Sequence, residues 1–277
     1  MARTSVPKSH QVETLLGVVV RHHLSNIYTV QLANVCTSKA NLKVCPRHFS
    51  ASFVSFARQP VIVNRYLQNI LQHPQFFQLA SGLESDSRLY IIRLLHTLFE
   101  LHPSNTCQIT QVEPLLPIYY GTLAEPDLLI LSIFQLFEIQ RKISLASLFN
   151  RWSSSSEIAC SSPLECIQSL DPALVFRTTL HFPKWRRFRT KIMARVNHHD
   201  RQLYDPVFLL LLLHSIYSQH PPSTPFGWIE LFRTNIVGLC ILTISSKDTA
   251  IRSLGLSILT GLYKSIEVGP RLFLIPK

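Results

Sequence analysis

The stretch KDTAIRSLGLSILTGLYKSIE, residues 247–267, decides the fold class of this 277-residue chain. Its apolar side chains recur every three or four residues and make one stripe along a helix: Ile251, Leu254, Ile258, Leu259, Leu262 and Ile266. Asp248 precedes the stripe and is a typical helix N-cap. Gly255 and Gly261 lie where a neighbouring helix can approach closely, because glycine has no Cβ. The stretch therefore predicts an amphipathic helix packed tightly against a second helix.

The segment before this helix is also apolar. IVGLCILTI, residues 236–244, is joined to it by a short SSKD turn, so the two make an antiparallel helical hairpin. Other helix-length apolar patterns recur from residue 61 onward, and glycine is scarce, with 8 residues. A sheet protein needs more glycine in its turns. The sequence therefore predicts an all-α protein of HEAT- or armadillo-like stacked helical hairpins (an α-solenoid), although the hairpins show no fixed repeat length.

Apolar periodicity and one polar stretch that ends in proline divide the chain into four segments. Residues 1–59 show no sustained period and form a poorly defined N-terminal segment. Residues 60–152 form a helical block. Residues 153–163, SSSSEIACSSP, are polar and close on proline, which is typical of a solvated linker. Residues 164–277 form a second helical block.

The overall charge narrows the choice of partners. Hydrophobic residues make up 47% of the chain and charged residues 16%, which excludes a disordered protein. The net charge of +11 favours acidic partners such as nucleic acid, an acidic protein or an anionic membrane. The alternative is an ordinary protein that happens to be basic. The apolar runs at 15–20 and 207–213 are too short for a signal peptide and a membrane span. We therefore expect a soluble, intracellular chain without a membrane partner.

Motifs of catalysis are missing from the sequence. It has no glycine-rich phosphate loop, no GxSxG and no HExxH, and its six cysteines form no CxxC pair. The histidine pairs 22–23 and 198–199 suit one metal poorly, because adjacent residues on a helix face apart. Asp171, Asp205 and Asp248 stand at predicted helix starts, where capping explains them. We expect no enzyme activity, no metal, no cofactor and no small-molecule substrate.

A basic cluster lies between residues 184 and 201. Its basic and aromatic members are the candidate binding residues: Lys184, Trp185, Arg186, Arg187, Phe188, Arg189, Lys191, Arg195 and Arg201. Arginine binds phosphate and aromatic rings stack on unpaired bases, so one interpretation is contact with RNA. The alternatives are a solvated face or a surface that docks on acidic side chains of another protein. We expect the segment to be exposed, so that Arg186, Arg187 and Arg189 are replaceable without loss of the fold.

Four segments, in order, carry a resemblance to a known family: LLPIYYGTLAEPDLLILSIFQLFE (115–138), LDPALVFRTTLHFP (170–183), YDPVFLLLLLHSI (204–216) and GLCILTISSKDTAIRSLGLSIL (238–259). Together they resemble the C-terminal region of the nucleolar pre-ribosomal-associated protein 1 family, whose members are large helical-repeat factors of early 60S subunit assembly. One departure is that Leu211 or Leu212 stands where the family often has proline.

The resemblance covers roughly residues 60 to 265. It implies a non-enzymatic scaffold in the nucleus and nucleolus, acting in large-subunit ribosome biogenesis and pre-rRNA processing. It also implies pre-60S assembly factors and pre-rRNA as partners. A helical adaptor that binds proteins without RNA is the alternative. The chain is far shorter than a family member, so we expect a fragment or a truncated form, and its first sixty residues match nothing in the family.

Overall fold

The computed structural model of the chain describes residues 17–18, 24–31, 33, 59–82, 86–149, 151–153, 160, 162–189, 200–219, 221–222 and 224–268. The chain divides into two compact units. The first consists of residues 1–118 and 132–142, and the second of residues 119–131 and 143–277. The division into four segments drawn from the sequence stays a prediction, because most of its N-terminal segment and of its serine-rich linker lie outside the described residues.

The prediction of an all-α protein is confirmed. Every regular element in the described ranges is helical, apart from one antiparallel bridge between Thr122 and Tyr204. The helices of the first unit are α1 (Pro60–Leu71), α2 (Phe76–Ser81), α3 (Asp86–Leu101), α4 (Pro103–Thr106) and α5 (Ile109–Val112), followed by a 3-10 helix (Glu113–Ile118) and by the second half of α6 (Glu125–Arg141).

In the first unit, helices end shortly before proline residues. Helix α1 ends at Leu71, three residues before Pro74. Helix α3 ends at Leu101, two residues before Pro103, which starts α4. Val63, Leu67 and Ile70 make the buried face of α1, as their spacing predicts, and this helix packs against α3, α4 and α5. Burial of such a stripe is what holds a short helix in place, because isolated helices of this length are marginal in water.

A buried arginine, Arg88, also stabilises the first unit. Arg88 on α3 donates from Nε to the Ala80 carbonyl oxygen at 3.0 Å and from Nη2 to the Ile118 carbonyl oxygen at 2.9 Å. Both acceptors lie near the ends of helices, where carbonyl groups have no partner within the helix. One guanidinium therefore joins the end of α2 to the end of the 3-10 helix.

The second unit is built around one helix (Pro206–Gln219) whose first half is apolar. The unit contains the first half of α6 and then α7 (Leu145–Phe149), α8 (Pro163–Gln168), α9 (Pro172–Leu180), a 3-10 helix (Asp200–Gln202), α10 (Pro206–Gln219), α11 (Pro225–Arg233), α12 (Ile236–Leu242), a 3-10 helix (Thr243–Ser245) and α13 (Thr249–Val268). Helix α10 packs against α7, α8, α12 and α13. Its side chains from 206 to 210 are all buried, as expected of a helical segment that is apolar on every side.

The terminal hairpin of α12 and α13 is present as predicted. Ile251, Ile258 and Leu262 are buried, whereas Leu259 is only half-buried. At the far end of the stripe Ile266 is 39% exposed, so the predicted core face is wrong there and extends less far along α13. The last turn of α13 is therefore more exposed than the apolar stripe predicts.

The two glycines of α13 do mark close approaches. A Cβ at Gly255 would collide with the Thr243 hydroxyl on the preceding 3-10 helix, and one at Gly261 would collide with the Tyr217 ring of α10. Glycine costs about 1 kcal/mol of helix propensity at each position. The close packing of α13 on its neighbours requires it.

Candidate nucleic-acid interface

The basic cluster is not uniformly exposed. Arg186 is only 4% exposed, and its Nη2 atom lies 2.7 Å from Asp205 Oδ2 while its Nε donates to Oδ1 at 3.0 Å. Burial acts to lower the pKa of Arg186, but the Asp205 carboxylate outweighs it and the pKa is raised, so the guanidinium stays charged. The expectation that this residue is exposed and freely replaceable is wrong, because a carboxylate 19 residues away draws it into the core.

Asp205 holds together three parts of the second unit. Its carboxylate accepts a hydrogen bond from the Val207 backbone N–H at 3.0 Å and so caps α10. Its own N–H donates to the Gly121 carbonyl oxygen at 2.7 Å. Because Asp205 is fully buried, the charge of Arg186 is what makes an ionised carboxylate tolerable at this position.

The other two predicted N-caps are confirmed. Asp171 Oδ1 accepts from the Ala173 N–H at 2.9 Å at the start of α9. Asp248 Oδ1 accepts from the N–H groups of Ala250 at 2.9 Å and Ile251 at 3.1 Å at the start of α13. These contacts leave both carboxylates engaged with backbone donors of their helices.

The loop before α6 is organised by a carboxylate in the helix that follows it. Asp127 accepts hydrogen bonds from the backbone N–H groups of Tyr120 at 3.2 Å and Thr122 at 3.1 Å, and from the Thr122 hydroxyl. Gly121 between them has φ of 68°, a conformation that favours glycine, and the Phe208 ring fills the space where its Cβ would be. The sequence YYGTLAEPD thus encodes a tight turn into the helix.

An aromatic cluster fills the space beside this turn. The Phe208 ring lies 5.1 Å from Tyr119, 5.3 Å from Phe149 and 4.8 Å from Trp152, measured between centroids, with each pair edge to face. Trp152 Nε1 donates to the Tyr119 carbonyl oxygen at 2.7 Å. Burial raises the pKa of Tyr119 well above its usual value, and the nearby carboxylates raise it further, so its hydroxyl stays protonated. This cluster stabilises the unit and carries no titrating group.

The four segments that carry the family resemblance meet in this part of the molecule. Gly121 of the first segment bonds to Asp205 of the third. The Tyr204 hydroxyl accepts from the Asp171 N–H at 3.2 Å, and the Tyr204 N–H donates to Thr178 Oγ1 at 3.1 Å, which joins the second segment to the third. The fourth joins them through the packing of α12 on α9 and of α13 on α10. The resembling residues that belong to the second unit, 119–131 and those from 170 onward, therefore form much of its core.

The remaining members of the basic cluster lie in different surroundings. Five are exposed: Lys184, Trp185, Arg187, Arg189 and Arg201. Phe188 is half-buried. Lys191 and Arg195 lie outside the described residues. The binding role given to the cluster from the sequence stays a prediction, and within the described part it falls to the exposed members.

A lysine from a distant segment adds to this surface. Arg187 Nη1 donates to the Lys247 carbonyl oxygen at 3.3 Å, which brings the SSKD turn beside the cluster although 60 residues separate the two. Lys247 itself is exposed. The sequence shows the charge of Lys247, but no local pattern places the SSKD turn against residue 187.

Metal-ligating side chains and thiols can be located among the described residues. Across them, no group of three or more His, Cys, Asp or Glu side chains is placed to hold a metal ion. Cys107 and Cys240 are free buried thiols, and burial raises their pKa values to about 11 and about 12, so both stay protonated near neutral pH. Cys240 lies in the core of the second unit.

The length and hydropathy of each described helix can be compared with those that a membrane span requires. No single helix among the described residues is both long and apolar enough to cross a membrane. The bent pair formed by Pro225–Arg233 and Ile236–Ser245, with a 64° break, satisfies both conditions when taken together.

Two curated proteins are similar to the chain. Both are named nucleolar pre-ribosomal-associated protein 1. The protein of Mus musculus is 28% identical over 203 residues, covering 64% of this chain and 9% of the relative. That of Homo sapiens is 27% identical over 234 residues, covering 75% of this chain and 10% of the relative.

The similarity covers most of this chain but little of the relatives. The chain spans about a tenth of the length of the curated relatives it matches. No family model matches it, and no solved structure matches it. The resemblance drawn from the four segments is thus supported by similarity over most of the chain.

Proposed function

We propose that the chain is a non-catalytic helical scaffold in nucleolar ribosome biogenesis, on the pathway of the large (60S) subunit and its pre-rRNA processing. The observation that carries the proposal is the similarity, over 64% and 75% of this chain, to two proteins named nucleolar pre-ribosomal-associated protein 1. On this proposal the chain resides in the nucleolus, and its partners are pre-60S assembly factors and pre-rRNA.

Two physical observations support contact with RNA. The chain has a net charge of +11, and such an excess attracts a polyanion over a long range. The exposed cations at 184, 187, 189 and 247 lie on two adjacent segments, beside the exposed Trp185. Sequence-independent binding of nucleic acid depends mainly on contacts of this kind with phosphates.

The scaffold role also includes a proposal on architecture. We infer that the helices stack as HEAT- or armadillo-like hairpins within an α-solenoid. The hairpin of α12 and α13 supports this, as does the packing of α13 on α10. Such stacks present long surfaces on which several partners bind at once.

Crosslinking in cells tests the function directly. The tagged chain is crosslinked to RNA, recovered, and the bound RNA is sequenced, with an equally tagged helical nuclear protein as control. We expect reads enriched in pre-rRNA, and depletion of the protein should reduce large-subunit precursors without reducing small-subunit precursors. Recovery of no pre-rRNA, together with unchanged large-subunit precursors after depletion, would contradict the proposal.

The protein-only adaptor also has an observation in its favour. Large apolar side chains are exposed on α11, α12 and the 3-10 helix after it: Phe226, Ile229, Phe232, Ile241 and Ile244. Contiguous exposed apolar surface marks sites of protein interaction. A salt series separates the two functions, since phosphate contacts weaken steeply with salt and apolar contacts do not. Capture of protein partners that survives ribonuclease and high salt, without any RNA crosslink, would favour the adaptor.

A further inference from the structure

We propose that residues 184–189 and the turn 246–248 form one surface for unpaired RNA, on which Trp185 stacks against a base and Lys247 contacts the phosphate backbone. The proposal rests on the proposed function and names the class of RNA that this site takes. The first segment alone already allows the interpretation of RNA contact, and the structure adds the turn at Lys247, which lies 60 residues away from Arg187 in the sequence.

The first segment is held in one conformation by a buried anchor. The backbone N–H of Arg186 donates to the Pro183 carbonyl oxygen at 2.9 Å, and its guanidinium forms two hydrogen bonds with Asp205. Arg186 Nη1 also donates to the Arg187 carbonyl oxygen. A loop fixed before binding loses less conformational entropy when a ligand arrives. Arg186 is therefore a positioning residue for its exposed neighbours.

The second segment is fixed beside the first by two further arginines. Arg187 donates to the Lys247 carbonyl oxygen at 3.3 Å, and Arg252 Nη1 donates to the Ser246 carbonyl oxygen at 2.7 Å. The Ser246 N–H in turn donates to the Thr243 carbonyl oxygen at 3.0 Å. Two arginines thus hold the backbone of the turn, the Lys247 carbonyl oxygen lies beside the Arg187 side chain, and Lys247 is exposed.

The surface is cationic because its cations outnumber its carboxylates, of which Asp248 is the one within residues 184–189 and 246–248. Asp205 is paired with Arg186, and Asp248 accepts from the first N–H groups of α13. The exposed charges are those of Lys184, Arg187, Arg189 and Lys247. Among them, Trp185 is 37% exposed, so part of its ring faces solvent.

The exposed tryptophan selects between single and double strands. In a duplex the bases stack on each other and their faces are inaccessible, whereas an unpaired base can stack on an aromatic ring. The cations attract both forms. An acidic protein would also use the cations and can bury an indole ring, so poly-aspartate is included among the probes. A tryptophan among cations therefore favours unpaired RNA over a duplex.

Fluorescence anisotropy with the full 277-residue chain tests this. The probes are an unstructured single strand of about 12 nucleotides, within the usual site size of one domain, a duplex of equal length, and poly-aspartate. The variants are Trp185→Ala, Trp185→Phe and Lys247→Ala. The matched controls are Phe226→Ala on α11 and Lys264→Ala on α13, an aromatic and a lysine that are likewise exposed.

Each variant has its own expected result. Trp185→Ala should weaken single-strand binding by about fivefold to a hundredfold and leave duplex binding unchanged, while Trp185→Phe keeps most of the affinity. Lys247→Ala should reduce the slope of log affinity against log salt by about 0.7, the value for one contact with single-strand phosphate. Both controls should bind as the parent does.

The outcomes separate this inference from the proposed function. A parent chain that binds neither RNA would overturn the RNA contact itself. A parent that binds the single strand while Trp185→Ala and Lys247→Ala match it would overturn this inference and leave the function standing. Poly-aspartate binding as tight as RNA binding, without any effect of Trp185→Ala, would assign the surface to an acidic protein. Because Lys247 is exposed, loss of folding cannot account for its result.

Discussion

Two neighbouring regions of the second unit use the same type of side chain in opposite ways. Around Asp205, a buried guanidinium closes a network that caps α10 and fixes the turn at Gly121. Immediately beside it, the guanidinium groups of Arg187 and Arg189 are exposed. Arg186 and Arg187 are adjacent in the chain, yet one belongs to the core and the other to the surface. Charge density in a sequence therefore does not reveal which charges hold the fold and which meet a partner.

The largest effect is expected at the buried member. Arg186→Ala should lower the free energy of unfolding by about 3–5 kcal/mol, because it leaves the buried Asp205 carboxylate without its cationic partner. Urea denaturation measures this, with Arg189→Ala as the control that removes an equal charge from the surface. Equal unfolding midpoints for the two variants would show that Arg186 is not buried in solution.

Some of this contrast was predictable and some was not. The helices, their proline boundaries and the three aspartate caps follow from local patterns, because a helix and its cap involve residues close in sequence. The pairing of Arg186 with Asp205 spans a separation of 19 residues, and the contact of Arg187 with Lys247 one of 60. Both depend on how helices pack, which no single stretch encodes. The sequence therefore shows the basic cluster as a whole, but it does not show that its members have different roles.

A second contrast lies along α13, between two adjacent apolar residues. Ile258 is fully buried, whereas Leu259 is half-buried. Ile258→Ala should cost about 2–5 kcal/mol, because it leaves a cavity in a packed core. Leu259→Ala should cost less, since less of its surface leaves water on folding. Thermal and urea unfolding of both variants measure the difference, and an equal loss would mean that the helix is rotated relative to its described position.

A histidine in the first unit sharpens the comparison of buried charges. His96 lies near Ser132, with 3.1 Å between Nε2 and Oγ, and near Glu100, with 3.6 Å between Nδ1 and Oε2. Burial lowers the pKa of His96, and the Glu100 carboxylate offsets this only in part. Arg186 keeps its charge because its intrinsic pKa is far above neutral and a buried carboxylate binds it twice. The Glu100 side chain near His96 is instead 41% exposed.

The pH dependence of stability follows from that lowered pKa. In the unfolded chain the imidazole has its ordinary pKa of about 6.5, so the unfolded state binds the proton more readily than the folded state. The contribution of neutral His96 to the free energy of unfolding is fully present above about pH 6.5. It is lost as the pH falls from there towards the lowered pKa of the folded state. Urea midpoints measured from about pH 8 to pH 5 should decline less for His96→Gln than for the parent. A parallel decline in both would exclude His96 as the cause.

The smallest effect on stability is expected at the exposed cations. It tests whether these side chains, unlike the buried Arg186, contribute nothing to the fold. Lys184→Ala and Arg189→Ala should each change the free energy of unfolding by less than about 0.5 kcal/mol, since neither side chain is buried. If the surface binds RNA, each should also reduce the salt slope by up to about 0.7. Arg186→Ala should instead destabilise the fold, and any loss of binding there follows from the loss of the anchor. A fall in the melting temperature for Arg189→Ala, with unchanged RNA binding, would reverse the assignment, because the exposed arginine would then serve the fold.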